Sequence, residues 1–291
     1  MPTNAVQQRP DRRLERARAK YARKISASAG PMREALERAL ARVPRERFLG
    51  PPPWYTVSDF GYVRVRSRDP ARVYRNALFA LDRAKGINNG EPALHAQMIG
   101  ALEPRPGDLV VHIGCGTGYY SAVIAELVGA EGRVVAYEID PDLAQRALDD
   151  LEPWPNVTVR AGSGTGAVLP SSEGIYVNAG ASRALAEWLD ALKDDGRLVF
   201  PLVTAEGSGV TLKVWRRGDA FAVEVVNRVR FIHCAGALDE GEGAEVARAI
   251  RSGQLFDARS LHRNDTPDAS AVLVGEGWWL SDEVLAEGAR T

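Results

Sequence analysis

The feature that most constrains this chain is the apolar run Leu109-Val110-Val111-His112-Ile113, which leads directly into Gly114-Cys115-Gly116-Thr117-Gly118 and then Tyr119-Tyr120. A continuous apolar run of this length reads as a strand covered on both faces, the habit of parallel sheets. Glycines at alternate positions let the backbone turn sharply and let a ligand approach it closely. A helix read over 119–128 then offers its free N–H groups to a polar or anionic group at the turn. The unit is a ligand cradle at the end of a parallel strand.

From Asp108 onward the pattern alternates between strand and helix. Strands are expected at 109–113, 133–138, 157–161, 174–178 and 196–203, and helices at 119–128, 141–151 and 182–192. Such alternation predicts an α/β fold, a Rossmann-like, doubly wound and mostly parallel sheet with helices on both faces. An antiparallel hairpin follows, Val210 to Arg216 with Phe221 to Phe231, turned at Arg217-Gly218-Asp219. Upstream, helices are expected over Asp11 to Ser26, Met32 to Arg42 and about Ala93 to Leu102. Downstream, a helix is expected from about Gly243 to Arg251, and then a Trp-rich tail segment around Trp278-Trp279 that packs onto the body.

Charge bears on partners. The net charge is −1, which makes nucleic acid an unlikely partner for the whole molecule. Residues 1–47 hold 13 Lys/Arg against 5 Asp/Glu. That excess reads as a solvated arginine-rich helix in a basic arm spanning 1–30. The two cysteines, Cys115 and Cys234, form neither a disulfide framework nor a zinc pattern, and no metal is expected. A cytoplasmic setting fits them, and no run approaches the length of a membrane span. The oligomeric state is not legible.

Ligands of open α/β sheets sit at the carboxyl ends of the strands. The second strand ends at Glu138-Ile139, where an acid can accept hydrogen bonds from ribose hydroxyls. Asp140 before Pro141 is a helix N-cap. The third strand ends in Gly162-Ser163-Gly164, a loop suited to an adenine ring, and the fourth ends at Asn178. The spacing Gly-x-Gly-x-Gly differs from the dinucleotide fingerprint Gly-x-Gly-x-x-Gly. Leu192 to Val199 resembles the helix-to-strand turn common in S-adenosylmethionine-dependent methyltransferases.

Several segments are similar to those of the protein-L-isoaspartate O-methyltransferase family. Val43-Pro44-Arg45-Glu46-Arg47-Phe48, Pro92-x-x-His95-Ala96, Ile113 to Tyr119, and Gly196-Arg197-Leu198-Val199-Phe200-Pro201 carry the resemblance, with Arg216 to Asp219 and Val229-Arg230-Phe231 behind them. The match covers roughly residues 32–235. The resemblance implies a methyltransferase domain over 31–235, with a substrate and cofactor cap over 31–107, and a C-terminal extension over 236–291. It implies S-adenosyl-L-methionine as cofactor and methyl transfer to a carboxylate of a peptide or protein. Cofactor contacts would fall on His95, His112, Gly114, Cys115, Gly116, Thr117, Gly118, Tyr119, Glu138, Ile139, Gly162, Ser163, Gly164 and Asn178. Asn88, Asn89 and Gly90 would position the substrate.

The chain departs from the family at several of these places. The family's Thr-Ile-Ser tripeptide, whose serine lies beside the reacting carboxylate, is Asn88-Asn89-Gly90 here. Its first-strand aspartate is His112, and the acid of its third-strand loop is Ser163. These changes keep two other readings open: a small-molecule or natural-product methyltransferase on the same scaffold, and a catalytically silent S-adenosylmethionine-binding protein.

Overall fold

The protein is described from a computed structural model, which covers residues 11–58 and 61–285. The first ten residues of the expected arm and the last six of the tail lie outside the described residues.

The parallel core stands where the apolar runs lie. Strands β5 (Leu109–Ile113), β6 (Arg133–Glu138), β7 (Val157–Ala161), β8 (Ser172–Val177) and β9 (Leu192–Val203) assemble in the order β9-β8-β5-β6-β7. All four pairings among them are parallel. The chain winds outward from β5 through β6 to β7, then returns to β8 on the other side of β5. This reversal makes the carboxyl ends of β5 and β8 a topological switch point.

Helices α4 (Tyr119–Val128) and α5 (Pro141–Asp150) connect the first strands. Asp140 caps α5 by accepting from the N–H groups of Asp142 and Leu143. The helix expected over 182–192 is only the short α6 (Ala186–Asp190). The backbone before it is held elsewhere: Ala181 bridges to Pro201 and Val203, and Ser182 donates its N–H to the carbonyl of Ala237.

Strands β10 (Ser208–Arg217) and β11 (Ala220–Arg230) form the expected hairpin and extend the sheet antiparallel from β9. Helix α7 (Glu240–Ser252) follows, and β12 (Ser260–Arg263), β13 (Ala271–Gly275) and β14 (Trp278–Ser281) then join the same sheet, which reaches ten strands. The residues after 235 are therefore built into the body. Glu242, 7 % exposed, accepts from the Trp278 indole N–H at 2.9 Å and from the backbone N–H of Glu276. Trp278 and Trp279 are both buried in β14, as the packing expectation required.

Alternation along each strand divides the core. Val111 and Ile113 face the layer that holds Trp188, Phe200 and Val246. Val110 and its neighbours face a second layer built on helices α1 (Arg12–Ser26), α2 (Arg33–Arg42), α3 (Pro92–Leu102) and α4. Helix α1 was expected within a solvated arm. Instead it buries Tyr21, Ala22 and Ile25, so only one of its faces is solvated. Arg45 joins this layer to the segment beyond it. It is 0 % exposed, donates to the carbonyls of Val73, Arg75 and Ala77, and lies over the rings of Tyr21, Phe79 and Tyr119. Two small hairpins complete this region: β1 (Tyr55–Ser58) with β2 (Gly61–Arg64), and β3 (Ala80–Asp82) with β4 (Ile87–Asn88). Among the described residues no helix is long and apolar enough to cross a membrane.

Candidate active site

A cavity of about 760 Å³ opens at the switch point. Its inner wall is the strand ends: Gly114 to Thr117 after β5, Glu138 at the end of β6 with Ile139 after it, Gly162 to Gly164 after β7, and Asn178 after β8. The N–H of Asn178 donates to the carbonyl of Ile113 at 2.8 Å and locks the two central strand ends together. Gly114 and Gly116 adopt φ of 76° and 57°, a region costly for residues with a Cβ. A Cβ on Gly116 would also come within 3.3 Å of Leu81, which leans over the turn from β3. Lys85, in the same hairpin, pairs with Asp140 at 2.5 Å and holds β3–β4 across the cradle.

Glu138 is the one acid of this wall. One carboxylate oxygen accepts from the N–H of Gly116 at 2.7 Å and the other from that of Asp140 at 3.0 Å. Burial raises its pKa, and these N–H groups oppose the rise. Each oxygen keeps acceptor capacity for a further donor. The glycine turn therefore leaves room for a ligand, and Glu138 leaves acceptors for a pair of hydroxyls. These residues fit S-adenosylmethionine. Ser163 has no acid's charge to offer; its hydroxyl bonds the Thr165 hydroxyl and accepts from the Thr165 N–H, fixing the loop.

The outer wall comes from far apart in sequence. Leu78, Leu81 and Ile87 supply an apolar lip, Asn88 to Glu91 a polar loop, and Arg228 to Ala235 the facing rim. Asn89 is buried and its side-chain carbonyl accepts from the Phe79 N–H at 2.9 Å, while its amide nitrogen has no partner. His95 is 0 % exposed. Its ring stacks on Tyr120 with centroids 3.9 Å apart, and its Nδ1 shares a hydrogen bond with the Tyr176 hydroxyl. Its Nε2 lies 1.9 Å from where a Cβ on Gly90 would stand, so the imidazole already fills the place of a side chain at position 90. Burial, with His112 and Arg45 adding to it, pushes the His95 pKa down to about 3 and keeps the ring neutral.

Two expected contacts lie elsewhere. His112 does not border the cavity; strand alternation turns it toward α4, where its Nδ1 meets the Ser121 hydroxyl at 2.8 Å and burial lowers its pKa to about 3. Gly118 caps α4, and a Cβ there would strike Leu151, so this glycine serves packing. Thr117 and Tyr119 border the cavity, yet their hydroxyls are engaged behind it. Thr117 donates to the Phe48 carbonyl at 2.7 Å, and Tyr119 pairs with Tyr21. The Cys115 thiol is buried, which pushes its pKa far up and leaves it inert as a nucleophile. The apolar lip was not anticipated: residues 54–75 show no clean periodicity, and the segments beyond them that carry Leu78, Leu81 and Ile87 are too short to show one.

A parallel sheet reversed at β5, a glycine turn there and an acid at the end of β6 define a Rossmann-like, S-adenosylmethionine-dependent methyltransferase. The sequence model of the family described as protein-L-isoaspartate(D-aspartate) O-methyltransferase matches residues 64–239. This chain belongs to that family. The protein-L-isoaspartate O-methyltransferase of Ignicoccus hospitalis is 37% identical over 145 residues, covering 48% of this chain and 69% of that one. That of Methanopyrus kandleri is 31% identical over 197 residues, covering 66% and 79%. A solved protein-L-isoaspartate O-methyltransferase superposes with a TM-score of 0.61 at 22% identity, covering 82% of this chain and 68% of that one. The fold is shared as well by a structure described as a putative Plasmodium falciparum member in complex with S-adenosyl-L-homocysteine. It has a TM-score of 0.55 at 15% identity and covers 72% of this chain and 97% of that one.

Proposed function

We propose that this protein methylates a carboxylate of a peptide or protein, isoaspartyl or closely related. The observation that carries this reading is the charge state of the acceptor end. Its buried and half-buried polar groups, Asn88, Asn89 and His95, are all neutral, and His95 is too weak a base to take a proton near pH 7; Glu91, the acid of the same loop, is exposed at the rim and accepts from the Asn76 side-chain amide. A carboxylate is already ionised at that pH and needs no base. An amine or hydroxyl acceptor would need one.

Gly114, Cys115, Gly116, Glu138 and the Gly162–Gly164 loop would hold the cofactor. When bound, it supplies an electrophilic methyl group on a sulfonium sulfur. The protein's own contribution is alignment and the exclusion of water. Leu78, Leu81 and Ile87 keep the outer wall apolar. Asn88 and Asn89 lie where side-chain amides can orient an acceptor. A reducing cytoplasmic setting accords with the two free, buried thiols, Cys115 and Cys234.

The test is tritiated methyl transfer from S-adenosylmethionine to an isoaspartyl peptide. Label released as volatile methanol at alkaline pH is the expected result. A base-stable label would overturn the ester reading.

A further inference from the structure

Strand β11 is paired along its whole length with β10, from Ala220↔Arg217 to Arg230↔Ser208. Its other edge is covered only at the start. There β12 pairs with Phe221 and Ala222, and the Val223 N–H donates to the Arg259 carbonyl. The chain before β12 turns off into a single turn over Gln254–Asp257 and makes no backbone hydrogen bond to residues 224–230. Among the described residues, no strand pairs with this edge of that stretch. Sheets ordinarily shield such an edge, because its free N–H and C=O groups invite another strand.

The free edge runs into the cavity. Arg228, Val229 and Arg230 border it, across from Asn88 to Glu91. Register shifts between Thr211 and Leu212, which leaves Val226 as an extra residue on β11. Such a bulge bends a strand and re-aims the residues beyond it, here Asn227 to Arg230. Asn227 is anchored to α3 through the side chain of Gln97. Arg228 and Arg230, two apart, lie on one face of the strand and are exposed. Neither forms an ion pair with an acid among the described residues. The Arg228 guanidinium lies over the Phe256 ring at 4.3 Å, a contact that leaves its N–H edges available.

We infer that the edge of β11 between Glu224 and Arg230 docks the acceptor polypeptide as an added, extended strand, with Arg228 and Arg230 selecting acidic side chains two residues apart. This rests on the reading that the acceptor is a polypeptide. Main-chain hydrogen bonds supply affinity that tolerates many sequences, and the arginines supply the preference. An extended strand delivered along this edge leads its next residues to the mouth of the cavity.

The experiment measures both binding and methyl transfer, using the full chain with S-adenosylhomocysteine for the first and S-adenosylmethionine for the second. The probe is a short fluorescein-labelled isoaspartyl peptide carrying a Glu-x-Glu segment, compared with its Lys-x-Lys counterpart. Backbone N-methyl groups are placed along the peptide one position at a time. Strand addition predicts losses of roughly tenfold at alternate positions and little change between them. Arg230→Glu should weaken the Glu-x-Glu peptide roughly tenfold at low salt and reverse the preference for it over Lys-x-Lys. Uniform sensitivity to N-methylation, or an unchanged preference in Arg230→Glu, overturns the docking edge while methyl transfer still supports the carboxyl reading. Alternating sensitivity in binding without any methyl transfer supports the edge and overturns that reading. Loss of both binding and transfer with the unmodified peptide overturns both.

Discussion

At one end of the cavity, Gly114, Gly116 and Gly162 present main chain, and a single carboxylate, Glu138, ties the turn together. At the other, Asn88, Asn89 and His95 present side chains that arrive from β4, a loop and α3, over a floor of buried aromatic rings. The first end is fixed by strand ends that the sheet holds in register. The second depends on how a neutral, buried polar cluster packs. A backbone site tolerates drift in its side chains, and a side-chain site changes character with every substitution. At that end the chain carries Asn88-Asn89-Gly90.

Acid has the largest expected effect, acting on His95 at the acceptor end and on His112 behind the glycine turn. His95 and His112 have folded pKa values near 3, below the ordinary value of about 6.5 for an unfolded chain. The unfolded state therefore binds more protons below pH 6.5. The stability that neutral burial confers is fully present above that pH and falls away as pH drops toward 3. By pH 5 the loss should reach about 2 kcal/mol per histidine, about 4 kcal/mol together. Denaturant melts at pH 7.5 and pH 5 measure it, and His112→Gln should remove about half the slope. A pH-independent midpoint would mean that the two imidazoles are not buried neutral as described.

Glu138→Ala attacks the opposite end. It removes the acceptor for two backbone N–H groups and for the ligand's hydroxyls, and should raise the Kd for S-adenosylhomocysteine roughly 100-fold, about 3 kcal/mol. Calorimetric titration reads this directly, and an unchanged Kd would take Glu138 out of the site.

Gly90→Ser installs the hydroxyl that the family resemblance leads one to expect at this position and tests whether the acceptor end accepts it. Position 90 has a φ of 73°, and its new Cβ would collide with the His95 ring. We expect a stability loss of about 2 kcal/mol and no gain in methylation. In a His95→Ala background the added loss should shrink to about 1 kcal/mol, the share due to the left-handed backbone. Equal losses in both backgrounds would show that the two residues are not coupled.

The smallest effect belongs to a control remote from both ends. Trp278→Phe removes the indole donor to Glu242 and should lower stability by about 1 kcal/mol without altering cofactor affinity.

The same contrast governs what could be read in advance. Strand ends announce themselves, because apolar runs ending in glycine, as at β5 and β7, or in an acid before a helix cap, as at β6, have few other uses in an α/β sheet; all three strands have the expected bounds. The cradle from Gly114 to Thr117 and the acid Glu138 followed from that. His112 did not, because a strand's period gives two faces but does not say which of them the ligand uses. The helix over 182–192 shortened because Ala181 and Ser182 answer to Pro201, Val203 and Ala237, partners that local sequence does not reveal. The lip of Leu78, Leu81 and Ile87 was hidden for a related reason: its strands are too short to have a period.

Arg45 has one more consequence. Because its guanidinium binds three carbonyls of residues 73–77 and lies over Tyr21 and Tyr119, the segment that walls the acceptor end and the helix that leaves the glycine turn share one buried contact. Recombination between relatives cannot exchange the front of this protein as a cassette with a crossover anywhere between Arg12 and Val128 unless Tyr21, Arg45 and Tyr119 travel together. A library built to diversify acceptors is better seeded at Asn88 and Asn89 and along β11, which that contact does not reach.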